Sequence, residues 1–476
     1  MFRIVGQPGK DLCDRELRVT RRDVLRVGSS GMLGLSLGNL LKLQTASAAA
    51  SPIHLSDAPG WNRAKSIILV YLQGGPSHID MWDYKPRLSE EYGKDLPPEV
   101  RDGQRITGMT SGQKTLPLAP SKYEFTKCDN NDRGVWVSSL LPYTSKITKE
   151  LCVVHGTFTE AINHDPAITY IQTGSQIPGR PSLGSWLSYG LGSMNENLPN
   201  YVVMLARTNH PQQSLFNRLW GTGFMPSDHQ GILFRAAENP VLYLKNPQGV
   251  SRSDRRAQLD ALAALNQNHY KEFADPEVLS RIKQHEMAYR MQASIPELMD
   301  IKDEPQEVFE LYGEDARTPG TFAASCLNAR RMAQRGVRNI QIFHRGWDSH
   351  NNLPTQHGSQ CKDIDQACYG LITDLKRQGM LDDTLVVWGG EFGRTNYCQG
   401  ALSRENYGRD HHPRAFTTWM AGGGVKPGIT FGQSDEYGYN LTDRDGNIVR
   451  PSKDAHWTPD TMHIHDLNAT ILHLLG

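Results

Sequence analysis

The stretch S-I-I-L-V-Y-L-Q-G-G-P-S-H-I-D-M-W-D, Ser66–Asp83, decides the fold of this chain. It opens with Ser66–Leu72, an unbroken apolar and β-branched run that is too short for a typical buried helix. Such a run predicts a strand covered on both faces, here the first central strand of a parallel sheet. Gly74-Gly75-Pro76 then ends the strand, and polar side chains follow at its carboxyl end, where open α/β sheets bind ligands. Gly-Gly-Pro is also ordinary turn chemistry, so a plain turn is the alternative.

The chain beyond this strand alternates strand-like runs with helical periodicity. Strands are predicted at 151–154, 201–205, 337–343, 384–388 and 416–420, and helices at 322–334, 357–378 and 465–475. This alternation predicts an α/β fold with a doubly wound, mostly parallel sheet flanked by helices. Residues 251–299 are the most helical part of the sequence. We therefore interpret 248–315 as a helical insertion within an α/β domain that spans 60–476.

The composition excludes some functional classes. Lys plus Arg and Asp plus Glu both number 51, so nothing indicates a general electrostatic attraction to nucleic acid or to acidic lipid. No nucleic-acid-binding motif is present, and no G-x-G-x-x-G follows a strand, which disfavours a nucleotide-dependent oxidoreductase. The 17 histidines are many for 476 residues, and several lie beside acids, a pattern that indicates metal or proton chemistry. None of the 7 cysteines forms a Cys-x-x-Cys pair, so a structural zinc cluster is not expected.

Residues 1–50 are expected to lie outside the fold. Thr20–Arg26 is T-R-R-D-V-L-R, and a mildly apolar run and small residues follow it. This pattern resembles a twin-arginine export signal and predicts cleavage, with a periplasmic or otherwise exported mature protein. An uncleaved membrane anchor is the alternative. No later segment is long or apolar enough to span a bilayer.

Polar clusters lie beside three later predicted strands. They are H-R-G-W-D-S-H after Phe343, G-G-E-F-G-R-T after Trp388 and G-R-D-H-H-P before Phe416. Imidazole nitrogens and carboxylate oxygens are suitable ligands for zinc or manganese, and carboxylates with water suit a harder ion such as calcium. Each cluster alone is a weak signal. Together with Ser77–Asp83 and 155–164, they predict one convergent site.

Asn163-His164-Asp165-Pro166 has the character of a helix start, with Asp165 as the cap and Pro166 in the first helical position. His164 would then lie at a helix N-terminus, where backbone N–H groups favour an anion. The alternative is that His164 pairs with Asp165 at the surface.

The segment His412–Gly424, H-P-R-A-F-T-T-W-M-A-G-G-G, resembles the late part of alkaline-phosphatase-superfamily enzymes, in which a metal-binding histidine precedes a strand. From Lys65 onward the chain closely resembles a family of twin-arginine-exported, sulfatase-like proteins of unknown function in that superfamily. The resemblance places His412 as a metal ligand and His164 at the position of the nucleophile. The chain departs from sulfatases and phosphatases at Gln73 and Phe392, where those enzymes carry metal ligands.

The resemblance implies an exported metal-dependent hydrolase of sulfate or phosphate esters, acting on a small-molecule or polysaccharide ester with zinc, manganese or calcium. The expected ligands are Asp348, His350, Glu391 and His412, completed by His78 and Asp80. His164 and Arg394 are expected to be catalytic, Arg394 by neutralising charge on the transferred group, unless it only pairs with an acid. His411, Asn163 and Arg345 are expected to support the site. The alternative function is a non-catalytic protein that binds an exported partner or a polysaccharide.

Overall fold

The computed structural model has a nine-stranded sheet at its centre. In chain order the described strands are β1 (Ser66–Gln73), β2 (Phe125–Cys128), β3 (Val135–Ser138), β4 (Leu151–Phe158), β5 (Tyr201–Leu205), β6 (Ile232–Phe234), β7 (Asn339–Arg345), β8 (Thr384–Gly389), β9 (Gly393–Cys398), β10 (Arg409–His412), β11 (Phe416–Ala421), β12 (Ile429–Phe431), β13 (Gln433–Ser434), β14 (Leu441–Thr442) and β15 (Met462–His463). Across the sheet the order is β12-β4-β11-β8-β1-β7-β5-β6, and β15 also pairs with β4. β1 is therefore an interior strand, as predicted.

All neighbours in this sheet are parallel except those of β11, which runs antiparallel to β4 and β8. The prediction of a mostly parallel sheet is confirmed. β11 matters for the site because its amino end lies at the same edge as the carboxyl ends of β1, β7 and β8. The residues that precede β11 therefore meet the residues that follow the parallel strands.

Helices cover both faces of the sheet. They are α1 (His78–Met81), α2 (Pro86–Glu90), α3 (Pro98–Arg101), α4 (His164–Thr173), α5 (Leu183–Leu191), α6 (Arg252–Phe273), α7 (Pro276–Met299), α8 (Gln306–Tyr312), α9 (Phe322–Gln334), α10 (Leu353–Arg377) and α11 (Ile464–Leu475). Side chains alternate between the faces of a strand. Accordingly Ile68, Val70 and Leu72 of β1 pack in a core with α7 to α10, and Ile67 and Tyr71 pack in another core with α4, α5 and α11. The sheet is thus doubly wound.

The stretch interpreted as a helical insertion, 248–315, contains α6, α7 and α8. α7 and α8 bury Met291, Ile295, Leu298 and Phe309 in the core beneath the sheet, whereas α6 buries only Leu259. None of the described helices combines the length and the apolar character needed to cross a bilayer.

The structure describes residues 58–476, except 209, 211, 212, 236, 238, 239, 243 and 451–459. Gly60–Gly476 form one compact unit. The predicted export signal at 1–50 lies outside the described residues.

Candidate metal centre

Four segments meet at the carboxyl edge of the sheet. Asp348 and His350 follow β7, Glu391 follows β8, and His411 lies on β10, which leads into β11. β4 ends nearby and delivers His164, the first residue of α4. These residues are up to 247 positions apart in the chain, and the topology alone brings them together.

Asp348 Oδ1 lies at the centre of three imidazole rings. His350 Nε2 is 2.8 Å away, His164 Nε2 is 3.1 Å away and His411 Nε2 is 3.4 Å away. The contact of His164 is close in distance but poorly aligned, so we treat it as an electrostatic contact rather than a hydrogen bond. One ligand atom from each of the four residues lies within 4.8 Å of all the others.

The opposite ring nitrogen of each histidine is held by an acceptor. His164 Nδ1 is 2.7 Å from Glu391 Oε1, His350 Nδ1 is 2.6 Å from Gln399 Oε1, and His411 Nδ1 is 2.8 Å from the Ile162 carbonyl oxygen. Each Nδ1 therefore carries the hydrogen of the neutral ring, which leaves the lone pair on Nε2. Proteins commonly orient metal-binding imidazoles in this way.

The spacing of two of these lone pairs shows that the residues fit a metal ion. His350 Nε2 and His411 Nε2 are 3.1 Å apart. In these tautomers neither nitrogen has a hydrogen to donate, so a proton or a cation must relieve their repulsion. A tetrahedral ion with metal–nitrogen distances of about 2.05 Å would hold its ligands about 3.3 Å apart. The observed separation is close to that value.

Charge and burial set the protonation of the cluster. Burial opposes ionisation of Asp348, but its close contacts with the three histidines and the charge of Arg394 hold its pKa well below the usual value. Burial also lowers the pKa of His411, to about 4, against the opposing effect of Asp348. For His164 the two carboxylates outweigh burial and raise the pKa. Asp348 is therefore ionised, and His411 is neutral at neutral pH.

Arg394 is enclosed by acceptors of the protein itself. Its side chain is fully buried, and it donates to the carbonyl oxygens of Gly74, Gly75 and Arg409 and, at 2.6 Å, to Asp348 Oδ1. Because these acceptors occupy the guanidinium, the expected neutralisation of a transferred group is not open to it. The ion pair between Arg394 and Asp348 matches the alternative interpretation, in which Arg394 only pairs with an acid. Arg394 therefore positions Asp348.

Glu391 contacts His164 rather than joining the four-residue cluster. Besides His164, it accepts hydrogen bonds from the Gly74 N–H at 2.9 Å and from the Tyr71 hydroxyl at 3.2 Å. Burial raises the pKa of Tyr71 far above its usual value, and the charge of Glu391 adds to this effect, so the hydroxyl stays protonated. Glu391 therefore orients His164 through three fixed contacts.

His412 lies away from the cluster, and His411 takes the place expected for it. His412 Nε2 is 2.6 Å from the Tyr439 carbonyl oxygen, and its ring stacks on Tyr439 at 4.2 Å. Burial lowers the pKa of His412 to about 3. Neighbouring residues of a strand point to opposite sides, so only one of the two adjacent histidines of β10 can face Asp348.

His78 and Asp80, expected to complete the ligand set, serve the structure around α1. His78 Nε2 is 3.1 Å from the Gly438 carbonyl oxygen. Asp80 accepts hydrogen bonds from Arg409 Nε and from the Tyr407 hydroxyl, each at 2.7 Å. His78 Nδ1 is buried without a hydrogen-bond partner among the described residues, and neither His78 nor Asp80 belongs to the four-residue cluster.

The start of α4 also differs in detail from the prediction. Asn163, rather than Asp165, is the cap residue, and its side chain makes no capping hydrogen bond. Asp165 pairs with Arg218 instead of His164, which frees His164 to face the cluster. Arg345, the last residue of β7, is partly buried, and burial lowers its pKa.

Two glutamines that the sequence patterns did not indicate also contact the cluster. Gln213 Nε2 donates to Asp348 Oδ2 at 2.6 Å, and Gln399 holds His350 as described. Neither lies in a polar motif, so no local signal could have indicated them. The two residues at which the sequence departs from sulfatases and phosphatases also make contacts here. Phe392 packs 4.9 Å from His164 and 4.6 Å from His411, and Gln73 donates to the Ser214 carbonyl oxygen at 3.2 Å, next to Gln213.

Comparison with known proteins gives a family and several structural similarities. A family model described as "Protein of unknown function (DUF1501)" matches residues 64–476. No curated protein sequence matches the chain. The alkaline phosphatase from the Antarctic bacterium TAB5 is 11% identical with a TM-score of 0.31, over 78% of this chain and 94% of the phosphatase. The lipoteichoic acid synthase LtaP from Listeria monocytogenes is 9% identical, with 88% and 93% covered and a TM-score of 0.31. The PsFucS1 sulfatase from Pseudoalteromonas sp. is 11% identical, with 84% and 69% covered and a TM-score of 0.30.

Proposed function

This chain belongs to the DUF1501 family of proteins of unknown function, and we propose that it is an exported, metal-dependent hydrolase of sulfate or phosphate esters. One observation carries the proposal. Three imidazole Nε2 atoms and one carboxylate oxygen lie within 4.8 Å of one another, and the Nδ1 of every imidazole is held by an acceptor. Such an arrangement offers four metal ligands in their binding form.

The donor set favours zinc or manganese over calcium. His164, His350 and His411 supply nitrogen, whereas calcium takes six to eight oxygen ligands. When bound, the ion would supply Lewis-acid chemistry at the ester oxygen. We assign His164 to the ligand set rather than to the nucleophile's role, because its Nε2 faces Asp348 together with the other two rings.

Arg345 is the residue we propose for binding the ester oxyanion, in the role first expected of Arg394. Its guanidinium makes no hydrogen bond or ion pair with the described part of the chain, and its Nε is buried without a partner. It ends β7, three residues before Asp348, at the edge where the cluster lies. An unpaired, partly buried guanidinium is suited to a charged oxyanion.

Elemental analysis of the purified protein tests the metal centre. We expect about one zinc or manganese per chain, lost in Asp348→Asn and in His350→Ala. His269→Ala, at an exposed position on α6, is the control and should retain the metal. Metal-free wild-type protein, or metal retained in both cluster variants, would overturn the proposal.

Hydrolysis is tested separately with aryl sulfate and aryl phosphate substrates. We expect metal-dependent turnover that Arg345→Gln reduces mainly by raising KM. A specific observation favours a second candidate, a metal-binding protein without catalysis: Phe392 stands where the resemblance expects a metal ligand, and its ring lies 4.9 Å from that of His164 and 4.6 Å from that of His411. Stoichiometric metal with no turnover of either ester would support that alternative.

Export is the remaining part of the proposal, and it rests on the T-R-R-D-V-L-R sequence alone. Replacing Arg21 and Arg22 by lysine is expected to keep the protein in the cytoplasm, whereas the unaltered chain reaches the periplasm. Equal distribution of the two forms in cell fractions would refute the twin-arginine route.

A further inference from the structure

A polar cavity, of about 290 Å³, lies beyond the end of β10. Its lining includes three arginines, Arg105, Arg414 and Arg450, and one carboxylate, Asp102. None of these residues belongs to the metal centre described above.

The cavity carries an excess of positive charge. Arg450 Nε pairs with Asp102 Oδ2 at 2.8 Å, which neutralises one guanidinium. Arg105 and Arg414 are exposed, and neither makes a hydrogen bond or ion pair with the described residues. Two cations that line one cavity repel each other unless an anion lies between them. Two guanidinium groups are matched in charge and geometry by a sulfate or phosphate group.

The floor of the cavity is held by the fold. Asn440 is buried, and its side-chain amide donates to Asp435 Oδ2 at 2.8 Å and to the Val100 carbonyl oxygen at 2.9 Å. Leu441 accepts a hydrogen bond from the Val449 N–H at 2.8 Å. The cavity is therefore a built feature and does not depend on the conformation of one surface side chain.

The same two segments that line the cavity also lie close to His411 along the chain or through Asp410. Arg414 is three residues from His411, so their Cα atoms are at most about 11 Å apart. Two residues after Arg105, the Thr107 hydroxyl donates to Asp410 at 2.6 Å, and Asp410 accepts from the His411 N–H at 2.7 Å. One substrate molecule with several anionic groups could therefore occupy both places.

We propose that this cavity is a second oxyanion-binding site, in which Arg105 and Arg414 bind a sulfate or phosphate group. We further infer that the substrate carries more than one such group, as a sulfated or phosphorylated polymer does. This second inference rests on the proposed hydrolase function. The first group would be cleaved at the metal centre, and the second would be held in the cavity.

The test is titration calorimetry with inorganic sulfate, dextran sulfate and unsulfated dextran. It uses the wild-type protein, Arg105→Gln, Arg414→Gln and Asp348→Asn. Arg444→Gln is the matched control, because Arg444 is 81% exposed, pairs with Asp460 and does not line the cavity. We expect each cavity variant to weaken sulfate binding about tenfold, the effect of losing one charge-assisted contact. The control should bind like the wild type, and Asp348→Asn should keep the sulfate binding that depends on Arg105 and Arg414.

Unchanged sulfate affinity in both cavity variants would overturn the site. Sulfate binding that is lost in Asp348→Asn but kept in the cavity variants would place the oxyanion at the metal centre, which overturns the second site and leaves the proposed function intact. If the wild-type protein is metal-free, the proposed function fails, yet arginine-dependent sulfate binding still supports the cavity site. Tighter binding of dextran sulfate than of inorganic sulfate supports a polymeric substrate, and equal affinity per sulfate group overturns that part.

Discussion

Replacing Glu391 by glutamine removes one charge from beside the metal centre and keeps the shape of the site. Glu391 Oε1 accepts from His164 Nδ1 at 2.7 Å and from the Gly74 N–H at 2.9 Å, and Oε2 accepts from the Tyr71 hydroxyl. A glutamine can keep its oxygen toward His164 and Gly74 and turn its NH₂ toward the Tyr71 oxygen, which can accept. The substitution therefore isolates the charge of Glu391.

The expected loss of metal affinity in Glu391→Gln follows from the contact between Glu391 and His164. Loss of a partner that orients a metal-binding histidine typically weakens metal binding about 10- to 100-fold, which corresponds to about 1.4–2.7 kcal/mol. Because Glu391→Gln retains the hydrogen bond and loses only the charge, we expect the lower value, an approximately tenfold increase in the Kd for zinc. Asp348→Asn, which alters a ligand and removes the central charge, should have a larger effect.

The assay is competition for zinc with a chromophoric chelator near pH 7.5. Glu405→Gln is the matched control, because Glu405 is 78% exposed and, within the described part of the chain, its carboxylate pairs with Lys122 at the surface. The control should bind zinc like the wild type. A Kd for Glu391→Gln within twofold of the wild type would refute the inference that Glu391 tunes His164 as a ligand.

Three further predictions concern stability and the integrity of the site. Gly74→Ala should abolish stoichiometric metal binding in elemental analysis, because Gly74 has φ +121° and its new Cβ would lie 2.5 Å from the Asp348 N atom, so Asp348 must move. Zinc at about one hundred times its Kd should stabilise the wild type by about 2.7 kcal/mol in urea unfolding and should leave His350→Ala unchanged. Burial opposes ionisation of Asp80, but Arg409 prevails and lowers its pKa to about 2 from 3.8. Asp80 should therefore contribute about 2 kcal/mol of stability above pH about 4, lost as the pH falls toward 2. Urea unfolding at pH 5 and pH 3 checks this, and a pH dependence equal to that of Asp80→Asn would contradict it.

Much of the fold could be predicted from local pattern. Ser66–Leu72 is apolar at every position but the first, as a strand buried on both faces must be, and β1 is such a strand. The alternation of strands and helices in the second half likewise indicated the parallel sheet. These features depend on residues close together in the chain, which a sequence shows directly.

The site could be predicted only in part. The polar clusters after β7 and β8 and before β11 were found because they stand at strand ends, where polar side chains are conspicuous. Which of their members meet could not be predicted. His411 and His412 have the same chemistry and adjacent positions, and only the orientation of β10 makes His411 face Asp348.

The sequence by itself determined the α/β architecture and the edge of the sheet at which acids and imidazoles gather. The tertiary structure alone decided that three imidazoles surround Asp348, that Arg394 is buried behind it, and that Gln213 and Gln399 complete the contacts. The physical reason is that strand periodicity is a short-range property of the chain, whereas a metal centre is built from side chains that are hundreds of residues apart. Their orientation depends on strand register and on burial, and neither is encoded in any single segment.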